Sequence, residues 1–222
     1  MMTNLFSVFD PASGLGLSLN WVALSLGLLV YPLAKWSVSS RAMEFTATIY
    51  SLLYKEVGPL LSSKGKILAL IFTSMFFFIF WMNLMGLIPY IFTPTSHLAV
   101  TLSLALPLWL SYFTYGWVKN LSWMLAHLMP QGTPLVLMPF MVIIESVSSM
   151  IRPFTLAVRL MANMIAGHLL LTLISGSVQV LVVSSLVCIS VFQILLVVLE
   201  VAVAAIQAYV LVVLSVLYAS EV

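Results

Sequence analysis

The run "LVLMPFMVIIESVSSMIRPFTLAVRLMANMIAGHLLLTLIS" fills residues 135–175, and a second apolar run fills residues 177–219. Each is about 40 residues long, or ~60 Å as one helix at 1.5 Å per residue. The hydrocarbon core of a bilayer is only ~30 Å thick. Two arrangements fit: each run is two short spans, or each is one long, steeply tilted helix. Residues 177–219 contain neither Gly nor Pro on which to turn. The second arrangement is then a helical hairpin meeting at "SGS", residues 175–177. On pattern alone the two stand about even.

The rest of the chain is equally apolar. Of its 222 residues 63% are hydrophobic and 6% are charged, with a mean hydropathy of +1.20. A soluble domain carries roughly 25% charged residues. The composition therefore describes an all-α integral membrane protein built as a single domain over residues 1–222. Its net charge of +2 is too small and scattered to attract nucleic acid. Cys188 is the single cysteine, so no internal disulfide forms. The start, "MMTNLFSVFDPASGLG", lacks a basic segment and a small-residue cleavage site, so insertion without a leader is expected.

Working outward from the two long runs, residues 17–36 form a first span, 67–90 a second and 98–118 a third, with Pro107 a kink point. That makes about five membrane-embedded helices. Residues 37–66 hold most of the charge and are too polar to span. Met43, Ile49, Leu52 and Leu53 in that segment fit an amphipathic helix lying at the interface. The stretch "KNLSWMLAHLMPQGTP" after the third span reads as a loop. Trp36, Trp81, Tyr90, Trp117 and Trp123 fall near span ends, as an aromatic belt does. Successive loops carry five, zero, one and zero Lys or Arg. The positive-inside rule puts the first and third loops on the cytoplasm-like side, the N-terminus outside and the C-terminus inside.

Polar groups on the two long runs fall into rows. Glu145, Arg152 and Arg159 are spaced by seven and share one helix face, which Ser149, Asn163 and Ala166 extend. Gln193, Glu200 and Gln207 repeat the spacing on the other run. There Ala202, Ala204, Ala205 and Ala208 let another helix come close. His168 lies half a turn round from Arg159 and points elsewhere. Each has a plainer reading: Glu145 and Arg152 as an ion pair holding helices, His168 as a packing histidine, Gln193 and Gln207 as helix–helix hydrogen bonding. His97 and His127 fall in loops and read as interfacial residues without chemistry. No nucleophile–base set, phosphate loop or Cys/His metal spacing is present, so an enzyme active site is not expected and no cofactor is called for. Ionisable groups on adjacent apolar helices read instead as a proton or ion path. Arginine never titrates in such a site and acts as a fixed field.

"LAVRLMANMIAGHLLLTL" (156–173) and "LEVAVAAIQAYVLVVLSVLY" (199–218) resemble the two signature stretches of the ATP synthase subunit a family, the stator proton-channel subunit of the Fo sector. "LFSVFDP", "NLMGLIPYIFTPTSHL" (83–98) and "LMPQGTP" (128–134) resemble its mitochondrial form, and the resemblance covers essentially the whole chain. Histidine at 168 with glutamate at 200 also resembles the mitochondrial branch; bacterial relatives often carry the reverse. The resemblance implies a long tilted hairpin against a rotating ring of c subunits, with peripheral-stalk and other Fo subunits as partners. It implies a mitochondrial inner membrane location, with the N-terminus toward the intermembrane space and the C-terminus toward the matrix.

By resemblance, Arg159 is the essential arginine. His168 and Glu200 line the intermembrane-space half-channel, Glu145 lines the matrix exit, and Asn163 and Gln207 flank Arg159 at the rotor. Whether a metal sits between His168 and Glu200 is left open. The competing readings are a self-contained proton-coupled transporter or channel, which would want inverted repeats that are absent here, and a structural subunit of a respiratory complex, which leaves the charged rows unexplained.

Overall fold

The computed structural model describes residues 5–12, 18–30, 40–61, 66–89, 91–129, 134, 137–177 and 183–221. After short 3-10 turns at Leu5–Phe9 and Leu19–Val22 come α1 (Ala23–Val30), α2 (Arg41–Leu60) and α3 (Lys66–Gly86). A turn at Pro94–Ser96 leads into α4 (Leu98–Lys119), then α5 (Leu121–His127), α6 (Met138–Ser177) and α7 (Val183–Glu221). No strand occurs among the described residues. Among the described residues four helices are long and apolar enough to cross a membrane: Ile67–Gly86, Leu98–Lys119, Met138–Gly176 and Val187–Ser220. The first expected span is described as helix only over Ala23–Val30, and much of residues 17–36, Trp36 included, lies outside the described residues.

The two long runs are single helices of 40 and 39 residues. That decides for the long hairpin over four short spans. Helix continuity has a simple cause, because lipid offers no partner for a broken backbone hydrogen bond. The same cause corrects the expected hairpin point. Ser175, Gly176 and Ser177 are all helical, and the connection to α7 falls on residues 178–182, outside the described residues. Pro153 sits inside α6 and, lacking an N–H, leaves the Ser149 carbonyl without its helical donor. Serine and threonine are tolerated throughout because their hydroxyls donate back into their own helices. Thr73 donates to the Ala69 carbonyl at 3.0 Å and Ser215 to the Val212 carbonyl at 2.7 Å.

α3 packs on α7, α4 on α6, and α6 on α7, while α1 covers α3. The core is small and includes Phe72, Ile79, Leu160, Val212 and Val216. Large apolar side chains elsewhere point outward, as on α7, where Val187, Ile194 and Val198 are exposed. That arrangement is stable where the surroundings are hydrocarbon rather than water. Of the alanines expected to slim α7, Ala204 and Ala208 are buried at helix contacts.

α2 begins at Ser40, whose hydroxyl accepts from the Met43 N–H, and Glu44 sits in its first turn where the helix dipole favours an acid. It packs on α3 and α7 through Thr46, Leu53 and Val57. Of the apolar residues expected on the interfacial helix, Leu53 is buried against the protein and Leu52 is exposed. Adjacent residues on a helix stand about 100° apart, so the two can meet different surroundings. The loop expected over residues 119–134 contains the short α5. The aromatic belt is only partly as expected: Trp123 is exposed, but the indole N–H groups of Trp81 and Trp117 are buried in protein.

Candidate functional site

Two of the expected ionisable groups, His168 and Glu200, lie where α6 and α7 pack together. Glu200 is 4% exposed. Its carboxylate lies on Gly167 of α6, so closely that a Cβ there would stand 2.6 Å from the Glu200 Cδ and collide with Oε1. Only glycine leaves room for that approach. His168, the next residue, is half-buried. Its ring meets Phe9 edge-on at 6.3 Å and sits by the Gly86 backbone at the end of α3. The fold thus sets Glu200 against Gly167, one residue before His168, with no hydrogen bond or ion pair between the His168 and Glu200 side chains. His168 Nε2 and both Glu200 oxygens are buried without a hydrogen-bond partner. Unpaired buried polar atoms on this scale call for water. Among the described residues no three His, Cys, Asp or Glu side chains gather to hold a metal ion.

Arg159 is exposed on α6. It makes no hydrogen bond or ion pair with any described residue. Its neighbours on either side in the chain, Val158 and Leu160, split between exposed and buried, so the guanidinium stands on the outer side of an apolar helix. Asn163 is half-buried one turn further on, and Gln207 is half-buried on α7, seven residues past Glu200.

The seven-residue spacing of Glu145 and Arg152 does place them together. Arg152 Nη2 donates to Glu145 Oε1 at 3.0 Å, with both side chains 36% exposed. The Arg152 guanidinium also lies 5.6 Å from the centre of the Tyr218 ring on α7. This end of the hairpin is far from His168 along α6: residues 145 and 168 are 23 apart, or ~35 Å of helix. The site residues therefore fall into two groups at opposite ends of α6, with Arg159 between them.

Asn83 and Thr95 are two further buried polar residues that no sequence motif marks. Asn83 is fully buried in α3, with both amide atoms unpaired. Thr95, in the Pro94–Ser96 turn that touches α3, α4 and α6, is 1% exposed with its hydroxyl unpaired. The signal was present: a carboxamide inside an apolar span is costly and marks a functional position as an ionisable group does. His97 is also more enclosed than an interfacial loop residue. It packs against Trp21 and Phe92, each ring centre 5.3 Å away and the two in contact with each other at 5.9 Å, with Nε2 buried and unpaired.

The chain matches known proteins along its length. The family described as "ATP synthase A chain" matches residues 17–220. Proteins named "ATP synthase subunit a" from Drosophila yakuba and Drosophila melanogaster are 56% and 55% identical to it over 226 residues. The protein of that name from Aedes aegypti is 54% identical over 227. Each alignment covers 100% of this chain and 100% of its relative. A multi-pass helical membrane chain with intramembrane ionisable residues on a long hairpin, matched in this way, belongs to the ATP synthase A chain family and is a membrane subunit of that complex.

Proposed function

We propose that this chain forms two offset proton half-channels against a rotating ring of c subunits in the mitochondrial inner membrane, and so couples proton flow to rotation and ATP synthesis. The observation that carries this is Arg159: a permanent cation on the outer side of an apolar helix, with no partner among the described residues. A charge at mid-membrane costs at least ~2.5–3.5 kcal/mol unless something compensates it. A carboxylate on a passing neighbour supplies that compensation.

The mechanism follows from charge. A rotor carboxylate facing lipid stays protonated, since ionising it there is too costly. Beside Arg159 the ionised form is favoured, and the proton leaves toward Glu145 and the matrix. The ring turns, and a proton arriving by way of His168 and Glu200 neutralises the carboxylate before it returns to lipid. The buried, unpaired atoms of His168 and Glu200 support this entry route, and Asn163 and Gln207 contact the rotor beside Arg159. The membrane potential biases the direction by ~2.3 kcal/mol per charge per 100 mV. The chain itself makes and breaks no covalent substrate bond.

Arg159 also keeps protons from running directly between the half-channels. The test compares Arg159→Lys and Arg159→Ala in the assembled complex. Both abolish coupled synthesis, because a lysine can lose its proton in a dry site. Only Arg159→Ala leaves a passive leak, measured as acidification of vesicles carrying Fo alone under an imposed potential. A tight Arg159→Ala membrane with its c-ring intact would overturn the barrier role. Normal synthesis in either variant would overturn the whole reading.

A further inference from the structure

Between α4, α5, α6 and α7 lies a cavity of about 190 Å3, lined in part by Trp109, His127, Glu145, Ser149, Arg152 and Tyr218. A single water needs only ~10–15 Å3 on this measure, so several fit. The wall gives them partners. The Ser149 carbonyl lacks its helical donor because Pro153 follows four residues later. Glu145 is the carboxylate on this wall, and Arg152 holds it at 3.0 Å. Arg152 is in turn steadied from the other helix by the Tyr218 ring at 5.6 Å.

We propose that Arg152 is a positioning residue for proton exit, pinning the Glu145 carboxylate on the wall of the α4–α5–α6–α7 cavity in the pose from which it hands a proton to water. The proposal rests on Glu145 lying on the exit route. A glutamate side chain has three rotatable bonds, and a half-exposed one samples several rotamers unless held. Only some of those face the cavity. Arginine suits the task because its planar fork fixes a carboxylate geometrically and it never takes up the travelling proton itself. Tyr218 adds a restraint from α7, so the pose of Glu145 depends on both long helices staying in register.

The experiment measures proton uptake into vesicles carrying assembled Fo under an imposed potential, normalised to the amount of this subunit and of the c-ring. Four variants are compared with wild type: Glu145→Gln, Arg152→Gln, the double change, and Arg152→Lys. Arg152→Gln is expected to slow uptake by about three- to tenfold, the scale of one half-exposed charge-assisted bond. Arg152→Lys recovers part of that loss. In the Glu145→Gln background, Arg152→Gln slows uptake no further, because there is no carboxylate left to position. An equal loss in both backgrounds would show a purely structural arginine and overturn the proposal, as would wild-type uptake in Arg152→Gln. Should Arg152→Gln fail to assemble, Arg152→Lys gives the same comparison across the two backgrounds. Wild-type uptake in Glu145→Gln alone would overturn the exit role of Glu145, a failure seen in a different variant from a failure of positioning.

Discussion

Replacing Gly167 by alanine tests the closest approach in the α6–α7 contact. The new methyl carbon would stand 2.6 Å from the Glu200 Cδ and 3.1 Å from its Cγ. Carbon atoms meet comfortably at about 3.5–4.0 Å, so Glu200 must retreat by roughly 1 Å. Its side chain can rotate, which keeps the stability cost within the ~1–3 kcal/mol typical of one extra methyl in a packed site. On the proposed entry route, where Glu200 passes a proton, the functional cost is larger. A misplacement of about 1 Å in a proton-transferring group can cost on the order of 100-fold in rate. Gly167→Ala is therefore expected to assemble into the complex, retain ATP hydrolysis by the detached catalytic sector, and lose most proton-driven synthesis. Shortening the acid should relieve the collision, so Gly167→Ala with Glu200→Asp should recover more synthesis than Gly167→Ala alone. The assay is ATP synthesis by reconstituted complex under a fixed potential and pH gradient, normalised to assembled subunit. Wild-type synthesis in Gly167→Ala, with the chain assembled, would refute the placement of the Glu200 carboxylate against α6.

Replacing His168 or Glu200 by a non-ionisable residue is expected to slow synthesis, and exchanging them, His168→Glu with Glu200→His, should restore part of it; unchanged turnover in each single variant would return both to packing roles. Topology is testable by cysteine labelling in a Cys188→Ser background, since Cys188 is itself exposed. A cysteine at Lys55, exposed on α2, should react with a membrane-impermeant reagent only from the matrix side, and one at Ile88, exposed beyond the end of α3, only from the other. The opposite pattern would reverse the proposed orientation and exchange the two half-channels.

The chain's amino-acid order settled whatever depends on one helix at a time. Residues 177–219 hold no helix breaker, and α7 runs unbroken as a result. Glu145 and Arg152 are seven apart, and two helical turns put them on one face of α6, where their side chains can reach each other and meet at 3.0 Å. The ring of features that depends on two or more helices was beyond reach. Nothing in "MIAGHLL" says that Gly167, rather than Ala166, meets a carboxylate 33 residues later in the chain. Helix rotation and depth decide that, and many weak apolar contacts fix both together. The same packing turned Leu52 outward beside a buried Leu53 and buried Asn83 and Thr95 without partners. It also left Arg159 exposed while Arg152, on the same face, found a carboxylate and an aromatic ring. Local hydrogen bonding made the helices legible in the sequence, and the energetics of close contact between them assembled the site.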